Sequence, residues 1–250
     1  MNTPASRIRA DHLLAQRGLA PSRSRARDMI ARGCVLVDGH PVAKAGSMLV
    51  ADAEITIDDP GSRYVSRAAL KLIAGLDAAG IDARGKHALD IGASTGGFTQ
   101  VLLERGAASV LAIDVGHGQM VPQIAEDPRV TNLEGINARD LSAEHLVRAP
   151  DLIVSDVSFI SLKLAAEPAL RLAAANAQCV LLVKPQFEVG RDGIGKGGLV
   201  TDTDLVAKTL DDITSWFTAL PGWTMTNRLA SPITGGDGNK EYLLCGERAD

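Results

Sequence analysis

Aromatic residues are scarce in this 250-residue sequence: four Phe, two Tyr and two Trp, 3% of the chain. A surface that grips single strands by stacking base after base is therefore poorly provided for. Cysteine is scarcer still. Cys34, Cys179 and Cys245 lie in or beside apolar runs, with no C-x-x-C spacing, which excludes a disulfide framework and a zinc site and leaves buried packing residues. No metal site is expected. No apolar stretch approaches the ~18 residues of a membrane span. The opening MNTPASRIRADHLL lacks the apolar core of a secretory signal. The expectation is a cytoplasmic protein with no membrane partner. An overall basic charge is missing too: the net charge is -4, within an ordinary globular balance of 46% hydrophobic and 22% charged residues.

That average hides an uneven distribution. Between Arg7 and Lys44 stand Arg7, Arg9, Arg17, Arg23, Arg25, Arg27, Arg32 and Lys44 against only Asp11, Asp28 and Asp38. Such a local excess is the footprint of a polyanion partner. The spacing of Ile8, Leu13 and Leu14 predicts a helix that stops at Gly18, and Ser22 is a plausible N-cap for a second helix reaching Gly33. CVLVDGHPV reads as a hairpin turning at Asp-Gly, and EITIDD as a third strand with Ile55 and Ile57 on one face. Arg23, Arg25 and Arg27 fall near the start of the second helix, where the dipole favours anions. A solvated basic helix is the plain alternative.

The stretch HLLAQRGLAPSRSRARDMIARGCVLVDGHPVAKAGSMLVADAEITI resembles the small α+β RNA-binding domain named after ribosomal protein S-four. Ala10 and His12 depart from that family's usual Arg-Leu-Asp opening. The resemblance implies binding of structured RNA by shape and backbone charge, with Arg7, Arg9, Arg17, Arg23, Arg25 and Arg27, and Arg67 further on, as the RNA-binding residues. It places this domain at residues 1–60.

After Pro60-Gly61 the pattern changes. Short apolar runs (HALDIG, SVLAIDV, RVTNLEG, DLIVSDV, QCVLLVKP, TMTNRLA, EYLLCG) alternate with helical stretches, which argues for an α/β sheet covered on both faces. Ligands of such sheets bind beyond the carboxyl ends of the strands. ALDIGASTGGFT is a strand, a glycine turn and a helix, yet Gly92, Gly96 and Gly97 do not have dinucleotide spacing, so a pyrophosphate cradle is not supported. Asp114, ending the next strand, can accept both hydroxyls of a ribose. Asp140 falls after the third strand, near where an adenine would lie. Together these read as an S-adenosylmethionine site with Asp90, Gly92, Ser94, Gly96, Gly97, Phe98, Asp114, Val115 and Asp140 as cofactor-binding residues.

Asp156 and Lys184 each end a strand, Lys71 lies on the helix leading into the sheet, and Glu241 opens the last strand. A solvated strand terminus is the plain reading of Lys184, set against its isolation behind QCVLLV. In these positions the sequence resembles the Lys-Asp-Lys-Glu tetrad of FtsJ-like ribose 2′-O-methyltransferases. With the N-terminal domain, the whole chain is similar to the TlyA family, through RYVSRAALKL, DIGASTGGFT, SDVSFISL, LVKPQFEVGRDGIGKGG and GNKEYLL. The resemblance implies a Rossmann-like class I methyltransferase over residues 87–250, seven strands with the last antiparallel, behind a linker and leading helix at 61–86. It implies methylation of a cytidine ribose in ribosomal RNA, with large-subunit RNA first (the chain is short at both ends) and small-subunit RNA second, on naked RNA or an assembled subunit. A ribose hydroxyl must lose its proton as the methyl arrives, and general-base work by an amine needs the neutral form that a neighbouring cation favours. Lys184 is the candidate base. Asp156 would position it, and Lys71 and Glu241 would orient the 2′-oxygen.

GRDGIGKGG imitates the front of a phosphate-binding P-loop. Gly197 stands where Mg²⁺ needs a Ser or Thr, and the strand ends at Lys184, well before Gly190, so nucleotide hydrolysis is excluded and a loop beside the site is expected. Three rivals remain: a non-catalytic ribosome-assembly factor that binds S-adenosylmethionine, a base methyltransferase, and a haemolysin. The base reading lacks an N-P-P-Y signature, and the haemolysin lacks an amphipathic or spanning segment.

Overall fold

The computed structural model describes residues 7–235 and 238–249, and the chain divides into two units, residues 1–62 and 63–250. The first contains β1 (Arg7–Arg9), α1 (Ala10–Gln16), α2 (Arg23–Ala31), β2 (Val35–Val37), β3 (His40–Pro41), β4 (Met48–Val50) and β5 (Ile55–Ile57). Ser22 caps α2, its Oγ accepting the Arg25 amide at 3.2 Å. Asp38 and Gly39 both take positive φ (50° and 79°), as a two-residue hairpin turn requires, and join β2 to β3. β5 pairs on the other edge of β2. Both helices press Leu14, Ala26, Met29 and Ile30 onto Val35 and Val42, and Ile55 and Ile57 pack against this core.

Ile8 does not lie on the first helix. It sits in β1, opposite Leu49 of β4, a pairing with no local signature. The helix starts at Ala10 because its first amides find carbonyls elsewhere: Ala10 donates to Ser47 and Asp11 to Ala45.

The second unit contains α3 (Ala69–Ala79), β6 (His87–Ile91), α4 (Gly97–Glu104), β7 (Ser109–Asp114), α5 (Pro122–Ala125), β8 (Val130–Glu134), β9 (Leu152–Ser155), α6 (Leu162–Arg171), β10 (Gln178–Val183), α7 (Thr203–Thr218), β11 (Trp223–Ala230) and β12 (Tyr242–Arg248). One sheet runs β11-β12-β10-β9-β6-β7-β8. β12 is antiparallel to both neighbours, while β10, β9, β6, β7 and β8 pair in parallel. Alternate strand residues feed two cores. Ala88, Val154 and Val180 face Leu72, Leu76 and Leu102 of α3 and α4. Leu89, Ile153 and Leu181 face Leu162 of α6 and Ile213 and Phe217 of α7. Strands covered on both faces must be apolar at every position, which is why these runs read as continuous. Residues 63–86, with α3, belong to this larger unit.

The three cysteines are free and buried. Burial pushes the Cys245 thiol up to about 11 and raises Cys179 as well, so neither is a nucleophile. Among the described residues no helix is long and apolar enough to cross a membrane.

Candidate active site

The parallel strands β6, β9 and β10 end side by side, so whatever follows them is gathered at one edge of the sheet. Asp156 follows β9 and Lys184 follows β10 directly. Their side chains meet, Lys184 Nζ lying 2.6 Å from Asp156 Oδ1. The same Nζ donates to Ser158 Oγ at 2.8 Å. Lys71, in the first turn of α3, places Nζ 2.6 Å from Glu241 Oε2 and 3.6 Å from Asp156 Oδ2. Glu241 stands one residue before β12 rather than inside it. The result is a chain of alternating sign, Glu241–Lys71–Asp156–Lys184, with Lys71, Lys184 and Glu241 buried. Three buried charges persist only because each is compensated; stripping one partner from such a pair costs about 3–5 kcal/mol.

Beside this chain lies a cleft of about 390 Å³ lined by Gly92, Ser94, Asp114, Val115, Asn137 and Asp156, among others. A smaller pocket of about 170 Å³, lined by Ser66, Gly97, Phe98 and Lys184, shares Gly92, Ser94, Asp156 and Ser158 with it. The two spaces therefore meet along Gly92, Ser94, Asp156 and Ser158. Gly92 is required where they meet. Its φ is +82°, and a Cβ there would come within 3.2 Å of the Asp156 backbone. Asp114 reaches the cleft from the end of β7. Its Oδ2 accepts the Ser94 amide at 2.8 Å and its Oδ1 the Gly116 amide at 2.7 Å. Each oxygen keeps lone-pair capacity for a ligand hydroxyl.

Asp90, Gly96 and Asp140 stand apart from the cleft lining. Asp90 is fully buried beneath the glycine turn, where its Oδ2 accepts Thr99 Oγ1 at 2.7 Å and its Oδ1 has no partner. Burial raises its carboxyl to about 7, with Thr99 opposing and the Asp156 charge adding. Gly96 precedes α4, against Ile124. Asp140 ends a short 3-10 turn with an exposed side chain, and Ile136, Asn137 and Ala138 line the cleft in its place.

Sequence reasoning passed over four residues at this edge. Ser158 holds Lys184. Glu134 accepts the amides of Gly118 and Gln119, which holds the Gln119 wall of the cleft and lowers the glutamate's pKa. Phe159 is 90% exposed at a φ of 63°, a costly conformation for a bulky side chain, and rests on Phe187 at 5.1 Å between ring centroids. Asn239 is buried; its Oδ1 accepts the Val200 amide and its Nδ2 donates to the Gly198 carbonyl, which ties the glycine-rich 190–198 loop to the segment bearing Glu241. SDVSF and GNKE were the visible signals, but nothing in their spacing shows which side chain bonds to which.

In the first unit the arginines divide by partner. Arg17 donates to the carbonyls of Ala51 and Ala53. Arg25 stands 3.6 Å from Asp28 and 3.8 Å from Asp59. Arg9, Arg23 and Arg27 converge on Asp11. Arg7 is exposed on β1. Arg67, in the second unit, is half-buried between Ser66 and Ala68, which line the smaller pocket.

Known proteins resemble this chain over most of its length. The FtsJ-like methyltransferase family model matches residues 64–248 and the S4 domain model residues 8–55. A Mycobacterium tuberculosis protein named 16S/23S rRNA (cytidine-2′-O)-methyltransferase TlyA is 44% identical over 96% of this chain and 90% of its own. A Brachyspira hyodysenteriae protein named Hemolysin A is 41% identical over 94% of this chain and 98% of its own. A solved Streptococcus thermophilus structure bearing a hemolysin label superposes with a TM-score of 0.74 at 35% identity, covering 98% of this chain and 90% of that one.

Proposed function

The chain belongs to the FtsJ-like methyltransferases that carry an N-terminal S4 domain, and from that premise we propose that it methylates a ribose 2′-oxygen of ribosomal RNA with S-adenosylmethionine. The observation that carries this reading is the Lys184–Asp156 pair, 2.6 Å apart, with Lys184 buried at the wall of the smaller pocket and Asp156 lining both pockets. The relatives' names extend the reading to a cytidine, with the large-subunit RNA as the first substrate to test.

The cleft residues fit the cofactor. Gly92 leaves room for a ligand against the backbone, Asp114 offers a carboxylate to a ribose diol, and Val115 and Ile136 offer apolar contact to a base. When bound, S-adenosylmethionine supplies an electrophilic methyl group. The chain's own part is to hold the ribose oxygen and take its proton. Lys184 Nζ, fixed between Asp156 Oδ1 and Ser158 Oγ, is the group that receives that proton once it has given up its own. Asp156 stabilises the resulting ammonium. Lys71, bridging Glu241 and Asp156, keeps both carboxylates compensated and aims a donor at the entering oxygen. Fixing the reacting atoms near attack distance supplies much of the rate. Phe159 and the arginines of the first unit are the substrate side of the same reading.

The test uses tritiated S-adenosylmethionine with large subunits, small subunits and protein-free rRNA, each with wild type and Lys184→Ala. Label released as a nuclease-resistant 2′-O-methyl dinucleotide, with wild type alone, is the expected result. Label on the base, or none in any RNA despite cofactor binding, refutes it and favours base methylation or a non-catalytic assembly factor respectively.

A further inference from the structure

The S4 unit holds two buried acids, and they are used in different ways. Asp59 takes Arg32 bidentately at 2.7 Å, and the Arg32 side chain is only 14% exposed, so this pair is an internal brace. Asp11, in the first turn of α1, has a fully buried side chain yet receives three guanidinium groups. Arg9 contributes Nε at 3.0 Å to Oδ1 and Nη2 at 3.3 Å to Oδ2. Arg23 Nη2 and Arg27 Nε reach Oδ2 at 3.1 and 3.0 Å. These three side chains are 49%, 49% and 56% exposed.

One carboxylate neutralises one guanidinium, so the group carries a net excess of two positive charges. Three cations in contact would repel and splay into water without the buried acid. A brace needs one arginine; three half-exposed ones leave most of their five N–H donors each pointing outward. Arg23 and Arg27 are also one turn apart on α2, so their free donors share a face. A rigid set of outward guanidinium donors with surplus charge matches the paired oxygens of phosphates. We propose that Asp11 is a positioning residue that assembles Arg9, Arg23 and Arg27 into one docking site for the phosphate backbone of RNA. The inference rests on ribosomal RNA being the substrate, and it adds a residue of the opposite charge to the binding surface.

The sign of the effect separates this role from simple electrostatics. Asp11→Asn removes a negative charge from an RNA-facing surface, which by Coulomb attraction alone would tighten binding. Loss of the organiser predicts the reverse. The experiment measures full-length wild type, Asp11→Asn and Arg27→Gln against purified large ribosomal subunits. Filter binding over a series of KCl concentrations is read alongside methyl transfer, with circular dichroism melts to check folding. For Asp11→Asn the expected result is about tenfold weaker binding, the loss of one charge-assisted contact, with KM rising more than kcat falls. Arg27→Gln leaves Asp11 two partners and is expected to reduce the salt slope by about one. Wild-type or tighter binding by a folded Asp11→Asn overturns the proposal. If that variant unfolds, an unchanged salt slope in Arg27→Gln overturns it instead. Binding is read without turnover, so a wild type that binds subunits but transfers no methyl defeats the catalytic reading alone, and the effect of Asp11→Asn on binding still decides the role of Asp11.

Discussion

Asp90→Asn tests whether burial governs the acid beneath the glycine turn. The folded chain holds this carboxyl at about 7 against an ordinary value of 3.8, because it is wholly buried and one oxygen has no partner. A folded pKa raised above the unfolded one means that the native state binds the extra proton. The stability this contributes is full below pH 3.8 and is lost as pH rises towards 7. A shift of that size corresponds to ~4 kcal/mol in all, of which about 2.5 kcal/mol falls between pH 5 and pH 8. The assay is urea unfolding of the cofactor-free protein at both pH values, followed by tryptophan fluorescence. The chain has two tryptophans, Trp216 and Trp223, and both lie in the larger unit, so the signal reports that unit alone. Wild type is expected to lose most of this increment between pH 5 and 8. Asp90→Asn, isosteric with the protonated acid, should lose almost none of it and be the more stable protein at pH 8. Equal pH dependence in the two proteins would show that Asp90 titrates normally and that the burial argument is wrong.

Three further expectations concern other sites. Lys184→Ala should lower kcat at least about 10²-fold while cofactor affinity changes little, and methyl transfer at the wild-type rate would rule the lysine out as base. In Gly92→Ala a Cβ would approach the Asp156 backbone at a φ of +82°, so cofactor affinity measured by calorimetry should fall about tenfold or more; undiminished affinity would mean the turn relaxes freely. Ser22→Ala removes the cap that Oγ gives the Arg25 amide, and a circular dichroism melt of the S4 unit should show a loss of about 1 kcal/mol. The tryptophan-monitored transition of the larger unit should stay where it was, and a shift there would contradict the assignment.

Local signals carried a large share of this protein. Strands covered on both faces are written as unbroken apolar runs, so β6, β7, β9 and β10 were legible, and with them the places where Asp156 and Lys184 emerge. The Asp38-Gly39 turn and the Ser22 cap were legible for the same reason, since each is decided by the conformation of two or three adjacent residues. The glycine loop and the strand-end acid Asp114 marked the cleft. Tertiary structure alone decided the rest. Ile8 pairs with Leu49 across some forty residues of sequence, and a strand of three residues has no period to betray it. Asn137 lines the cleft as the extended N-cap of a 3-10 turn, while Asp140, at the end of that turn, is exposed. Ser158 meets Lys184 only because β9 and β10 are neighbours. The basic-surface arginines looked alike in the sequence, and burial of Asp11 and Asp59 is what sorted them into braces and outward-facing donors. Charge is written in the composition, but its compensation depends on which groups the fold removes from water together.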